Sequence, residues 1–199
     1  MYATRSTAQD AKRIKSLILD IKEDRRDRRT GHPWSAIAIE RALSRSGEAA
    51  RSAFQGDPML VPVPGSGLTK PHTVWSAKRL CEELVAQGLG ADVIEIVKRT
   101  TAVPKSAGNE RRPSLREHHD SLTVTPRLVP PTRLLLVDDV VTSGTTLMAC
   151  AQRLWEVLPG VPIAAFALAR VQSEGDPVRV FEPAEEPISL SGERCHRGF

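Results

Sequence analysis

Apolar and polar positions along the chain follow two periods. Between residues 7 and 22, Ala11, Ile14, Leu17, Ile18 and Ile21 recur every three or four residues, with Lys12, Arg13, Lys15, Lys22 and Glu23 off that stripe. This spacing predicts an amphipathic helix. A second helical pattern runs from residue 34 to 54 through Trp34, Ile37, Ala42, Leu43, Ala50 and Phe54, with an interruption expected near Gly47. From Met59 the pattern changes. Met59–Val63 reads as a first core strand, and Pro64–Lys70 as a loop. Trp75, Ala77, Leu80, Cys81, Leu84 and Val85 mark a helix that Gly88 and Gly90 should end. Val93–Val97 is the next expected strand. Residues 99–132 have no clear period, contain several prolines and read as one long irregular segment. Leu134–Val137 is a continuous apolar run, as expected of a strand buried on both faces of a parallel sheet. Leu147, Ala151, Leu154, Trp155 and Leu158 fall on one helical face, ended by Pro159-Gly160. Val161–Val171 is a further buried strand. The remainder is polar, with a short strand expected at Val178–Phe181 and a mobile tail at Arg194-Cys195-His196-Arg197.

Strand and helix alternate from residue 59 to 171, which predicts an α/β fold: a parallel, twisted sheet with helices on both faces. Three regions follow: a helical N-terminal extension or hood over 1–56, a core over 57–175 and a polar C-terminal tail over 176–199. The N-terminal stripes must be buried somewhere, either over the carboxyl end of the sheet or in a homodimer interface.

The chemistry concentrates after Val137. Asp138 and Asp139 follow the apolar run, then Val140-Val141, then Thr142-Ser143-Gly144-Thr145-Thr146. A loop that opens a helix after a parallel strand aims free N–H groups at one point, where the helix dipole favours negative charge. Gly144 permits close backbone approach, and four hydroxyls surround it. Thr142–Thr146 therefore reads as a phosphate cradle, though not a P-loop, because the glycine-lysine-serine/threonine signature is missing. Two carboxylates would repel a phosphate directly. They suit the vicinal hydroxyls of a sugar, or the surroundings of a bound divalent cation. Pro64-Gly65-Ser66-Gly67 repeats the strand, glycine loop, helix layout and is a candidate second anion site, with Lys70 as an addition.

Composition alters this picture little. Hydrophobic residues are 40% and charged residues 26%, ordinary for a soluble globular chain. Aromatics are only 4%, so the core must be aliphatic. A net charge of +4 suits a phosphorylated ligand and equally a weak nucleic-acid contact. The run Asp24–Arg29 reads as a solvated helix end, with a phosphate or nucleic-acid patch as the sharper alternative. Cys81, Cys150 and Cys195 have no metal-ligand spacing; Cys81 and Cys150 read as small core residues. His118 and His119 read as exposed or hydrogen-bonded rather than metal-binding. No apolar run reaches membrane-span length, and no signal-peptide pattern stands at the N-terminus, so a cytoplasmic setting without membrane contact is expected.

The stretch Leu134–Thr146 resembles the phosphoribosyl-pyrophosphate (PRPP) motif of type I phosphoribosyltransferases: apolar strand, two acidic residues, two small or apolar residues, then Thr-Ser-Gly-Thr-Thr. The resemblance covers residues 59–171 and is similar in detail to ComF-like, amidophosphoribosyltransferase-type proteins, which share the Pro-Val-Pro loop and a long basic flap. It implies that Asp138 and Asp139 hold the ribose hydroxyls, one of them serving as a general base, with Mg2+ nearby through ligand or water. It implies that Thr142, Ser143, Gly144, Thr145 and Thr146 hold the 5-phosphate, and that Pro64, Gly65, Ser66, Gly67 and Lys70 hold the pyrophosphate. A mobile flap over residues 100–126 would deliver Lys105, Ser106, Arg111 and Arg112, with Lys105 among the catalytic groups. The implied activity is transfer of the 5-phosphoribosyl group to a nitrogen nucleophile with release of pyrophosphate. The chain departs from the ComF-like pattern: the Arg-Gly-Phe-Asn-Gln segment is replaced by Gly67-Leu68-Thr69-Lys70-Pro71-His72, and the N-terminal zinc-binding cysteines are absent. A non-catalytic module that binds PRPP or a nucleotide, in a regulatory or DNA-uptake setting, is the alternative.

Overall fold

The computed structural model describes residues 16–68, 73–104, 112–170, 185–192 and 194–197, with backbone alone for 45–50 and 194. Helix α1 is described over 16–22 and α2 spans Trp34–Ser52. Then follow β1 (Met59–Pro62), α3 (Ser76–Ala86), β2 (Asp92–Val93), β3 (Val97–Arg99), α4 (Leu115–Asp120) and β4 (Leu122–Val124). The chain continues through β5 (Leu134–Val141), α5 (Thr145–Val157), β6 (Ile163–Arg170), β7 (Ile188–Ser191) and β8 (Arg194–Arg197).

The central sheet is parallel, in the order β2-β1-β5-β6. Leu60 pairs with Leu135 and Val61 with Leu136, and Leu136 in turn pairs with Ala165. Side chains alternate between faces along each strand, so β5 feeds two apolar layers. Leu134 and Leu136 pack with Val61, Leu147, Cys150 and Leu154 on the α5 side. Leu135 and Val137 pack with Leu60, Leu80, Cys81, Leu84, Ile39 and Ile21 on the α1–α3 side. The protein is thus an α/β fold with helices on both faces. Leu134, Leu135 and Leu60 are wholly buried, and each such leucine contributes roughly 1.5–3 kcal/mol relative to exposure.

Several elements differ from the sequence expectation. Helix α2 runs through Gly47 without a break. A mid-helix glycine costs about 1 kcal/mol, and buried Ile39 and Leu43 before it and Phe54 after it hold both ends on the core. The expected strand Val93–Val97 divides between two sheets. Val93 ends β2, while Val97 begins β3, which pairs antiparallel with β4. Ile94 and Ile96 between them are both buried, and Glu95 turns outward to Lys78.

Residues 99–132 are not uniformly irregular. Ser114 caps α4 in a reciprocal box: Glu117 N–H donates to Ser114 Oγ at 3.2 Å, and Ser114 N–H donates to Glu117 Oε2 at 2.8 Å. Arg153 of α5 fastens this unit by donating from Nε to the carbonyls of His119 and Leu122, each at 3.1 Å.

Trp155 is exposed rather than on the buried face of α5; Ala149 and Cys150 fill that face instead. Strand β6 is mostly half-buried, because it lies at the edge of the sheet among the described residues. The Arg194–Arg197 stretch is strand β8, paired with β7, and Cys195 is buried in the α5-side core. The expected strand Val178–Phe181 and the first part of the expected helix 7–22 lie outside the described residues. No helix among the described residues is long and apolar enough to cross a membrane.

Candidate functional site

Strand β5 does not stop at Val137 but carries Asp138 and Asp139 within it to Val141. The β-branched pair Val140 and Val141 extends the pleat. Alternation then sends the two carboxylates to opposite faces. Asp138 continues the Leu134–Leu136 face, towards α5. Asp139 continues the Leu135–Val137 face, where Ser76 Oγ at the start of α3 donates to its Oδ2 at 2.5 Å. Lys22 of α1 stands 3.7 Å from its Oδ1. The backbone N–H of Asp139 donates to Asp138 Oδ1 at 2.8 Å.

Gly144 is the N-cap of α5 with φ of +83°, a left-handed conformation in which a side chain is strained. Thr145 and Thr146 therefore belong to the first helical turn rather than to the loop. Met148 N–H is bonded to Gly144 O at 2.9 Å. The N–H groups of Thr145, Thr146 and Leu147 precede that first bond and have no intrahelical acceptor. Ser143 Oγ and Thr145 Oγ1 lie 2.8 Å apart.

One cleft gathers these groups. Asp138 and Val140–Leu147 line it together with Arg112, Pro113 and His118. Among the described residues it combines free N–H groups and hydroxyls at a helix N-terminus, one carboxylate and one exposed arginine. That set can bind a phosphate and, from Asp138, accept hydrogen bonds from hydroxyls or take up a proton.

Charge in the cleft is tuned by burial. Burial first, and the neighbouring Asp139 charge second, push the Asp138 carboxyl up to about 7, opposed by the Asp139 N–H and by Lys22. Burial raises the Cys150 thiol to about 12, with Asp138 adding to it, which leaves that cysteine an inert core residue. Burial, then the charge of Arg99, lowers His118 to about 4 against the opposing pull of Glu117.

Of the flap residues, Arg112 reaches the cleft, while Lys105, Ser106 and Arg111 lie outside the described residues, as does Lys70. Pro64–Gly67 does not line the cleft. It is anchored from behind: Arg99 Nε donates to Gly65 O at 2.6 Å, and Val103 N–H donates to Ser66 O at 2.8 Å. Gly65 and Gly67 are exposed. Among the described residues no group of three or more His, Cys, Asp and Glu converges on a point that could hold a metal ion. His119 bonds Glu156 at 2.8 Å on the surface.

Sequence reasoning missed four participants. His118 and Arg99 are buried polar residues in contact with each other, and His118 lines the cleft. Ser76 and Ile188 touch Asp139 and Gly144 from elements distant in sequence. Only α4, which carries His118, had a usable signal: Ser114-Leu115-Arg116-Glu117 has the capping-box spacing.

A scan against protein families finds no match, and a search of curated proteins finds none. Among solved structures, the chain is similar to a hypoxanthine phosphoribosyltransferase from Staphylococcus aureus, with 15% identity over 75% of this chain and 70% of that one and a TM-score of 0.38.

Proposed function

We propose that this protein has a type I phosphoribosyltransferase-like core whose cleft binds PRPP or a ribose 5-phosphate nucleotide, with the 5-phosphate on Thr142–Thr146. The observation that carries the reading is Asp138 facing the same cleft as the glycine-bearing start of α5. A phosphate at the helix N-terminus and a hydroxylated ring towards the carboxylate use both groups.

Transfer would form a bond from ribose C1 to a nitrogen nucleophile and break the bond from C1 to pyrophosphate, which leaves with its electron pair. The nucleophile gives up one proton. Asp138, titrating near neutrality, is matched to accept it. Arg112 would offset charge on the phosphates. Mg2+ commonly binds through one or two carboxylates and substrate phosphates. Asp138, the one carboxylate among the described residues lining this cleft, would help hold such an ion together with the ligand's phosphates, and the ion would offset the charge of the leaving pyrophosphate.

A second reading, binding without turnover, is favoured by one observation. Asp139 is already engaged by Ser76 and Lys22 on the other face of the sheet, leaving Asp138 as the one carboxylate among the described residues that line the cleft. Calorimetry with PRPP and Mg2+ tests the binding common to both readings. A pyrophosphate-release assay against nucleobases, ammonia and glutamine separates them. No heat of binding with PRPP or ribose 5-phosphate would reject both.

A further inference from the structure

His118 of the cleft belongs to a buried polar cluster with a cation at its centre. Arg99 is 6% exposed, His118 4% and Ser121 2%. The guanidinium spends its donors in three directions. Nε donates to Gly65 O, Nη1 donates to Ser121 Oγ, and Nη2 lies 3.5 Å from His118 Nδ1. Ser121 Oγ in turn donates to the His118 carbonyl at 2.6 Å, closing the cluster. Burying an arginine is costly, and burial lowers its pKa here. The cluster holds two things in place: the Pro64–Gly67 loop and His118, which lines the same cleft as Thr142–Thr146.

The chemistry of arginine decides the state of that imidazole. A guanidinium carries only donors. Nδ1, facing Nη2, must therefore be the unprotonated acceptor, and the proton of the neutral ring must sit on Nε2. From this we infer that Arg99 is a positioning residue that fixes His118 as a neutral Nε2–H donor, and that this N–H binds an oxygen of the anion cradled by Thr142–Thr146. The inference deepens the proposed function and rests on it for the ligand. The remaining charges around the ring are Glu117 on its own helix, Arg99 on β3, Asp138 on β5 and Arg112 at the cleft mouth. The depressed pKa agrees with a ring that stays neutral across the physiological range.

This arrangement makes His118 a hydrogen-bond donor that carries no charge at neutral pH. A donor of that kind gives orientation without drawing in every anion, as a lysine would. One replacement reproduces both of its bonds. In His118→Gln the amide oxygen can accept from Arg99 and the amide N–H can donate into the cleft. His118→Phe keeps the ring and removes both.

The test combines two measurements on the full chain. Nitrogen-15 NMR of the histidine-labelled protein should show Nε2 protonated and Nδ1 bare at neutral pH, without ligand. Titration with ribose 5-phosphate and with inorganic phosphate should show His118→Phe weakened roughly tenfold or more, the scale of a lost bond to a charged acceptor. His118→Gln should remain within about threefold of the parent, and ligand should shift the Nε2–H resonance of the parent. An Nδ1–H tautomer or an imidazolium at neutral pH overturns the inference, and it does so even if His118→Phe fails to fold. Parent-like affinity in a folded His118→Phe overturns it too. A parent that binds neither PRPP nor ribose 5-phosphate defeats the proposed function instead, and the tautomer then judges the Arg99–His118 arrangement alone.

Discussion

Ile188 of β7 lies directly against Gly144 at the start of α5: a Cβ added to Gly144 would stand 2.8 Å from Ile188 Cδ1 and 3.0 Å from Cγ2. The β7–β8 hairpin thus closes on the backbone that starts α5. Gly144 is required twice, for its φ of +83° and for the missing side chain.

Gly144→Ala should therefore destabilise the protein by about 2 kcal/mol or more, adding left-handed strain to a collision with a stiff β-branched side chain. Ile188→Ala in the same chain should recover the collision part and leave the strain. Chemical denaturation of both single variants and the double variant forms the check. Strict additivity of the two changes would mean that the contact carries no energy.

The pH dependence of stability should carry the mark of Asp138. Its carboxyl titrates at about 7 in the folded protein against an ordinary 3.8. Between those values the folded protein holds a proton that the unfolded chain has released. Stability from this group is fully present below about pH 4, falls by up to about 1.4 kcal/mol per unit as pH rises to about 7, and is flat above. Asp138→Asn removes that slope. It should be more stable than the parent at about pH 8 yet bind ribose 5-phosphate more weakly. Denaturation curves at about pH 4.5, 6 and 8 decide it; a variant less stable than the parent at the highest pH contradicts the assignment.

The parts legible in the sequence were those with strong local patterns. Leu134–Val137 read as a doubly buried strand, which β5 is, and the Asp138–Thr146 order already suggested an anion site. What stayed hidden depended on where an element stops and what lies across from it. Whether Asp138 and Asp139 point together or apart turns on the strand running to Val141, which an apolar run followed by two acids leaves open. Trp155 fits the apolar face of α5 by spacing, yet small Ala149 and Cys150 lie closest to the sheet. Cys195 sits in a polar tail, yet β8 pairs with β7 and places it in the α5-side core. Arg99 looked like one more basic residue in a basic segment, since nothing local marks a buried guanidinium.

Ser76 should matter more to Asp139 than Lys22 does. The Ser76 bond is short and part-buried, whereas the Lys22 pair spans 3.7 Å with an exposed lysine. Ser76→Ala should cost about 1–2 kcal/mol. Lys22→Ala should cost under about 1 kcal/mol, a loss that shrinks further in high salt. Thermal unfolding at low and high ionic strength gives the comparison; a larger loss for Lys22→Ala would reverse the order.

The N-terminal helices should unfold together with the sheet. Ile39 of α2 has no exposed surface and shares one apolar cluster with Leu60, Leu80 and Leu135. Ile21 of α1 lies in that cluster, while Lys22 beside it reaches Asp139. Truncating Ile39 to alanine should therefore cost about 2–5 kcal/mol, since it empties a site walled by both the helices and β1. The loss should appear as one cooperative transition, seen equally by far-ultraviolet circular dichroism and by hydrogen exchange at Leu135. Removing residues 1–55 should expose Leu80 and Leu84 on α3 and give an aggregating core. A truncated chain that stays soluble and monomeric and binds PRPP as well as the full chain would show the helices to be a separate module, and Ile39→Ala would then melt them while β5 stayed protected.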